Sequence, residues 1–406
     1  MLSILGIAAL LGIALLLSEN RRAIKLRTVG IALLLQASFA AIVLYIPAGK
    51  SALGAVSAAV QHVINYANVG ISFVFGDLAN YKVGFIFAIN VLPILIFFSS
   101  LMAVLYYMGI MQKVIGFLGG AISRGLGTTR VESVAAAGNI FVSQTEAPLL
   151  VKPYIAGMSR SELFAVMTCG VASIAGSVLA GYANMGVELK YLVAASFMAA
   201  PGGLLMAKIM VPEVDGRNAD EQVDQGIGYG EGEKPHNIID AAATGAVDGL
   251  KLAVNIGAML VAFIALIALL NGILGGVAGW FGFGDLTFQT ILGYILSPLA
   301  YLMGVPWDEA FIAGSMMGQK FILNEFVAYI DFVQIKDQLT EKTQVIITFA
   351  LCGFANLSSV AILLGGLGGI APQRRAEIAS LGLRAVAAGS LSNLMSAVWA
   401  GIFLSL

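Results

Sequence analysis

The stretch Gly138-Asn139-Ile140-Phe141-Val142-Ser143-Gln144-Thr145-Glu146-Ala147-Pro148 returns, with one residue fewer between glycine and glutamate, as Gly318-Gln319-Lys320-Phe321-Ile322-Leu323-Asn324-Glu325-Phe326. In both copies a glycine is followed by an amide, a phenylalanine, a β-branched residue and a polar residue before a glutamate. Each copy lies in a segment apolar enough for a bilayer, over 131–156 and 308–335, and each is followed by an apolar helix with a second shared string. Cys169-Gly170-Val171-Ala172-Ser173-Ile174-Ala175-Gly176 corresponds to Cys352-Gly353-Phe354-Ala355-Asn356-Leu357-Ser358-Ser359. Small and polar residues in mid-span make poor lipid-facing helix. They suit a helix that breaks there and turns its freed backbone groups toward a cavity. A carboxylate at membrane depth costs about 2.5 to 3.5 kcal/mol on insertion scales. Two of them among Asn139, Gln144, Thr145, Asn324, Asn356 and Ser359 therefore point to a polar site rather than to packing alone.

The surrounding sequence sets the solvent. Of 406 residues, 59% are hydrophobic and 11% charged, against about 25% charged in soluble domains, and the mean hydropathy is +0.91. A water-soluble fold is excluded. Apolar runs of about 20 residues predict spans over 2–18, 29–47, 84–109, 162–184, 190–211, 249–272, 343–364 and 380–404. Residues 50–80, with His62, suit an amphipathic helix at the interface, and the Gly-rich or Pro-broken stretches 110–128 and 275–305 read similarly. Arg21, Arg22, Lys25 and Arg27 follow the first apolar run, the reverse of a secretory signal, so 2–18 is expected to be a retained helix. With the N-terminus outside, sixteen of the 22 Lys and Arg fall on the cytoplasmic side, as the positive-inside rule requires. Three spans separate the two hairpins, an odd number, so the hairpins enter from opposite faces, which is the signature of an inverted-topology repeat. Residues 212–237, with seven acids and two bases, read as a solvated cytoplasmic linker ending near His236.

The polar inventory excludes other classes. A net charge of −1 leaves no electrostatic footprint for nucleic acid. Cys169 and Cys352 sit in apolar runs and read as packed thiols. Only His62 and His236 are present, neither near a carboxylate motif, which argues against zinc or His-based acid catalysis. A membrane enzyme acting on a nucleotide-sugar or a lipid is the weaker class.

The strings Gln144-Thr145-Glu146-Ala147-Pro148, Asn324-Glu325-Phe326-Val327-Ala328-Tyr329 and Cys352 to Ser359 resemble the bacterial branch of the concentrative nucleoside transporter family, and the resemblance runs over essentially the whole chain. It implies an all-α polytopic membrane protein of about eight transmembrane helices plus two re-entrant helical hairpins in an inverted repeat, with interfacial amphipathic helices. It also implies a homotrimer in the bacterial inner membrane, with both termini outside. Scaffold helices are expected over 1–109 and 238–275. A transport domain built from 110–211 and 276–406 would move as an elevator. The implied activity is sodium-coupled, pyrimidine-preferring nucleoside symport (uridine, for example) rather than enzymatic catalysis, with proton coupling as the alternative. Carried over by position, Gln144, Thr145 and Glu146 face the nucleobase; Glu325, Asn356 and Ser359 hold the ribose; Phe354 lines the pocket. Sodium is held by Asn139, Val142, Ser173 and Ile174, the aliphatic pair through backbone carbonyls.

The chemistry of these residue types fits those roles. Adjacent ribose hydroxyls are donors, and a carboxylate is an acceptor that can take both, at about 1.5 to 3 kcal/mol per charge-assisted bond. Gln144 can donate and accept at once, matching a pyrimidine edge. Ser143 stands where related proteins often have glycine, and its bulk is expected to disfavour purines.

Overall fold

The computed structural model describes residues 2–79, 84–214, 235–284 and 286–406, and the described residues form helices with no strand among them. Most of the expected acidic linker, residues 215–234, lies outside them. The chain opens with α1 (Leu2–Leu16), α2 (Leu26–Leu44) and α3 (Pro47–Phe75). It continues through α4 (Phe87–Asn90), α5 (Leu92–Tyr107) and α6 (Ile110–Leu126). The first repeat contains α7 (Arg130–Gly138), α8 (Lys152–Ile155), α9 (Arg160–Ala172), α10 (Gly176–Asn184) and α11 (Leu189–Met210). Beyond the linker come α12 (Ile238–Gly279) and α13 (Phe288–Leu302), then α14 (Trp307–Ile322), α15 (Glu325–Ile335), α16 (Glu341–Leu351), α17 (Ser358–Ile370) and α18 (Arg375–Phe403).

The expected mid-span breaks fall at the repeated strings. The first apolar helix stops at Ala172 and resumes at Gly176, and its counterpart stops at Leu351 and resumes at Ser358. Six of the eight expected spans coincide with helices long and apolar enough to cross a membrane. The other two differ: α1 has only 15 residues, and 343–364 is divided between α16 and α17. The stretch 275–305 is not one interfacial element. Its first residues complete α12, and its last form α13, which bends by 119° against α14. The apolar run that marks α12 begins near residue 249, but the helix starts where the Asn237 side chain accepts from the amides of Ile239 and Asp240, both at 2.9 Å. A cap, not a hydropathy edge, fixes that end.

Burial separates two kinds of helix. The spans Arg160–Asn184, Leu189–Met210 and Pro372–Phe403 are 94%, 89% and 78% buried, whereas Ile238–Gly279 is only 17% buried. The core is thus α9 with α10, α11 and α18, and α12 lies outside it. Gly245 and Gly249 allow α12 to approach α5, because a Cβ at either would come within 2.6 to 2.7 Å of the Ser99 or Leu95 carbonyl oxygen. This is close packing of the small-residue kind used between membrane helices. Helices α1 and α2, grouped with α5 in the expected 1–109 unit, pack differently: α1 on α18, α13 and α11, and α2 on α11, α18 and α3. Sequence order is not packing order here, since only α5 pairs with α12.

Charges are spent sparingly. Lys208 on α11 meets Glu132 on α7 at 2.6 Å, both side chains almost fully enclosed, and the same carboxylate accepts from the Thr129 amide at 2.8 Å to cap α7. At the exposed edge Glu19, just past α1, joins Arg160 (2.9 Å) at the start of α9 and Arg384 on α18. The hydrogen bond from Arg160, with the charges of Arg160 and Arg384, holds the Glu19 carboxyl below its ordinary value of 4.5 against the opposing effect of partial burial. A depressed folded-state value means that the tie contributes fully above pH 4.5 and is lost as pH falls through the lowered value. Thermal melts should therefore show Glu19→Gln losing less stability than wild type on acidification below that range; parallel curves would remove the tie from the account.

Candidate functional site

The first hairpin tip is built by ending α7 at Gly138, where a Cβ would run into the Leu150 side chain at 2.5 Å. The chain then turns back through 139–146. Asn139 is completely buried. Its amide nitrogen donates to the Ala135 carbonyl at 2.9 Å, which assigns the nitrogen and leaves Oδ1 buried without a partner. Gln144, also buried, packs on Gly170 of α9, where an added Cβ would lie 3.1 Å from the Gln144 Cβ and 3.8 Å from the Asn139 Oδ1. Its Oε1 is likewise unpartnered. Ser173, at the α9 break, donates to the Cys169 carbonyl at 3.1 Å. Val142 and Ile174 are buried beside these groups.

Thr145 and Glu146 leave this cluster in different directions. Thr145 shares a 3.0 Å hydrogen bond with Ser143 and packs on Gly366 of α17, so the first tip rests on the second repeat. Glu146 is exposed. It accepts from the Ser143 amide at 3.0 Å and borders a cavity of about 210 Å³ whose far wall includes Ser99 and Tyr106 on the α5 side and Asp248 on α12.

The second tip forms where α14 stops and Asn324 caps α15, accepting from the Val327 amide at 3.0 Å. That places Glu325 in the first turn of α15, where the helix dipole favours an anion. Glu325 is 2% exposed. Oε1 accepts from the Tyr182 hydroxyl at 2.8 Å and Oε2 from Asn356 Nδ2 at 3.1 Å. Asn356 Oδ1 in turn accepts from Ser358 Oγ (2.7 Å) and the Ser359 backbone amide (3.0 Å), while Ser359 Oγ also reaches the Phe354 carbonyl. Glu325, Asn356 and Ser359 thus form one hydrogen-bonded unit. No direct hydrogen bond joins it to Gln144, Thr145 or Glu146; the two halves meet through backbone, where the half-buried Phe354 donates its amide to the Ser173 carbonyl at 3.1 Å.

Three residues of this region are absent from the sequence-derived set. Tyr182 contributes a hydroxyl from α10 to Glu325. Lys320 is fully buried and donates to the Ala350 carbonyl at 2.8 Å and Asn393 Oδ1 at 2.6 Å. Asn393 donates to the carbonyls of Ala172 (2.6 Å) and Cys352 (2.9 Å), binding both helix breaks. Polarity at mid-span was the available signal for Asn393 and Lys320. Tyr182 gave none beyond bulk. Replacing Asn393 by leucine strands two carbonyls and one ammonium, each worth about 1 to 3 kcal/mol when left unmade. The Asn393→Leu protein should melt far below wild type in detergent, with Ser405→Ala near the C-terminus as a neutral control, and an unchanged melting temperature would show that the breaks hold without it.

The chain matches family models described as Na+ dependent nucleoside transporter N-terminus over residues 5–78, nucleoside recognition over 88–188, and Na+ dependent nucleoside transporter C-terminus over 191–401. It is 59% identical over 412 residues to an uncharacterized transporter of Haemophilus influenzae, covering 100% of this chain and 98% of the relative. It is 50% identical over 415 residues to the nucleoside permease NupC of Helicobacter pylori, covering 100% and 98%. It superposes on CNTnw in an inward-facing substrate-bound state with a TM-score of 0.94 at 56% identity, covering 100% of this chain and 97% of that one. Matched along its whole length in sequence and fold, the chain belongs to the concentrative nucleoside transporter family, a family of sodium-dependent nucleoside permeases and not of enzymes.

Proposed function

We propose that this protein carries nucleosides, with uridine preferred, into a bacterial cell across its inner membrane, driven by sodium. The observation that carries the reading is Glu325, a carboxylate enclosed at a helix N-terminus and bonded by the neutral side chains of Tyr182 and Asn356. Such a group retains lone pairs for the two hydroxyls of a ribose, and a deoxy sugar forfeits one charge-assisted bond. Ser359 orients Asn356, and Phe354 lines the sugar side. Gln144, with its unpartnered buried Oε1, serves the amide edge of a uracil, flanked by Thr145, with Glu146 at the mouth of the cavity.

Sodium is read into the cluster at the first break. A buried amide oxygen without a donor is a poor arrangement for a protein alone and a good one for a hard cation. Asn139 Oδ1 and Ser173 Oγ, with the backbone carbonyls of Val142 and Ile174, offer oxygen ligands without a carboxylate. One sodium charge moving down 100 mV supplies about 2.3 kcal/mol, roughly 50-fold accumulation of a neutral nucleoside.

For the moving parts, we take α5 and α12 as the scaffold of a homotrimer, with both hairpins and their partner helices as the elevator. Because α1 and α2 pack on α11 and α18, we take those two helices with the moving body. Both termini are assigned to the outside by the charge bias.

Reconstituted vesicles test the reading. Labelled uridine should accumulate under an inward sodium gradient and not under a pH gradient alone, and the reverse result would make the protein proton-coupled. Glu325→Gln should abolish uptake while the protein remains folded and inserted; uptake near the wild-type rate would remove Glu325 from the ribose site. Ser143→Gly should improve adenosine competition relative to uridine, an effect of about threefold to tenfold if side-chain bulk is the cause, whereas an unchanged ratio would show that Ser143 does not set the preference.

A further inference from the structure

Lys320 and Glu325 lie on either side of the break between α14 and α15 and are both buried, at 0% and 2% exposure. Among the described residues neither makes an ion pair. The ammonium of Lys320 bonds two neutral oxygens, those of Ala350 and Asn393, and the carboxylate of Glu325 bonds two neutral donors. The contrast is with Lys208 and Glu132, equally enclosed, which close to 2.6 Å. Each of the separated charges also sits at a helix end of complementary sign: Ala350 lies in the last turn of α16, and Glu325 in the first turn of α15. In the chain they are separated by the last two residues of α14 and the two-residue break at Leu323 and Asn324.

We propose that Lys320 is a positioning residue for substrate recognition, a tethered counter-cation held apart from Glu325 so that the carboxylate stays charged while its lone pairs stay open. The inference rests on the reading of Glu325 as the ribose acceptor. A buried carboxylate without a compensating cation is costly, but a cation in contact would consume the acceptor positions that a diol needs. Anchoring the ammonium on Ala350 and Asn393 meets both demands. The hairpin then carries no net buried charge and yet offers an unblocked anion. The first repeat supplies the contrast: at the position matching Lys320 it has Ile140, and its glutamate, Glu146, is solvent-exposed and needs no internal cation.

Two measurements on the full-length protein test the proposal. In thermal melts without substrate, Lys320→Met and Glu325→Gln each leave one buried charge unbalanced and should melt below wild type. The double variant, with neither charge, should melt above both single variants. A double variant that is no more stable than the worse single variant overturns the charge balance. In vesicles, Lys320→Met should raise the half-saturating uridine concentration about tenfold, the equivalent of one weakened charge-assisted bond. It should also narrow the preference for uridine over 2′-deoxyuridine, while half-saturating sodium stays within about twofold of wild type. An unchanged uridine value, or sodium and uridine values shifting together, overturns the positioning role. Failure of the wild-type protein to accumulate uridine would instead sink the proposed substrate, and the melting comparison stands apart from that outcome.

Discussion

Everything polar in this fold depends on how two helices are allowed to stop inside an apolar body. A helix end leaves carbonyl groups unpaired, and at membrane depth no water is at hand to take them. Here α9 and α16 end at neighbouring points, and one side chain on α18, Asn393, donates to the Ala172 and Cys352 carbonyls together. Lys320 takes the remaining oxygen of Ala350. The contact requires near-bare backbone: a Cβ at Gly353 would collide with the Asn393 amide and the Ala172 carbonyl, and one at Gly389 would press on Val171. α18 is accordingly buried and carries a strip of small polar residues, one of which, Ser396, is bonded by Gln36 of α2 at 2.8 Å. Fixing both breaks to one helix fixes their separation, and with it the space between the hairpin tips.

The repeats also exchange support. Tyr182, from the continuation of the first broken helix, bonds the second hairpin's Glu325, while Gly366, from the continuation of the second, receives the first hairpin's Thr145. Each tip is thus steadied by the other repeat. Neither half buries its own polar tip alone, so the two halves must form one body, whereas α12 packs on α5 through its glycine seam and otherwise exposes apolar surface, and α5 meets that body at α10.

Much of this was legible before any coordinates, for definable reasons. The helix breaks were visible because their requirement, small and polar residues in mid-span, is compositional and occurs twice. Glu325, Asn356 and Ser359 are grouped by the family resemblance that the repeated strings carry. What stayed hidden is tertiary. Asn393 lies among Ser390, Ser392 and Ser396, where an asparagine reads as ordinary close packing until its two carbonyl partners, far away in sequence, are known. Lys320 stands in plain view in the second string, but its lack of a carboxylate contact is a matter of distances. The packing of α1 and α2 is hidden for the same reason, because proximity in sequence says nothing about which face packs: Gly6 of α1 fits against the Leu302 carbonyl of α13, and Gln36 reaches α18.

The remaining step concerns coupling. Ion and sugar are assigned to different breaks, but the breaks are not independent, because the Phe354 amide is bonded to the carbonyl of Ser173. Ser173 is an ion ligand on the proposed reading, and Phe354 precedes Asn356, the partner of Glu325, by two residues. An ion that orders the backbone at Ser173 therefore fixes the acceptor on which the sugar pocket's first residue hangs. Linkage makes the influence reciprocal: ordering the sugar pocket must favour the ion by the same free energy. A single amide-to-carbonyl hydrogen bond is modest in net terms, about 1 kcal/mol, and Asn393 adds a second tie by binding the adjacent carbonyls of both breaks. On the proposed reading, coupling of ion to sugar requires no moving relay, only two interrupted helices that are held by the same side chain.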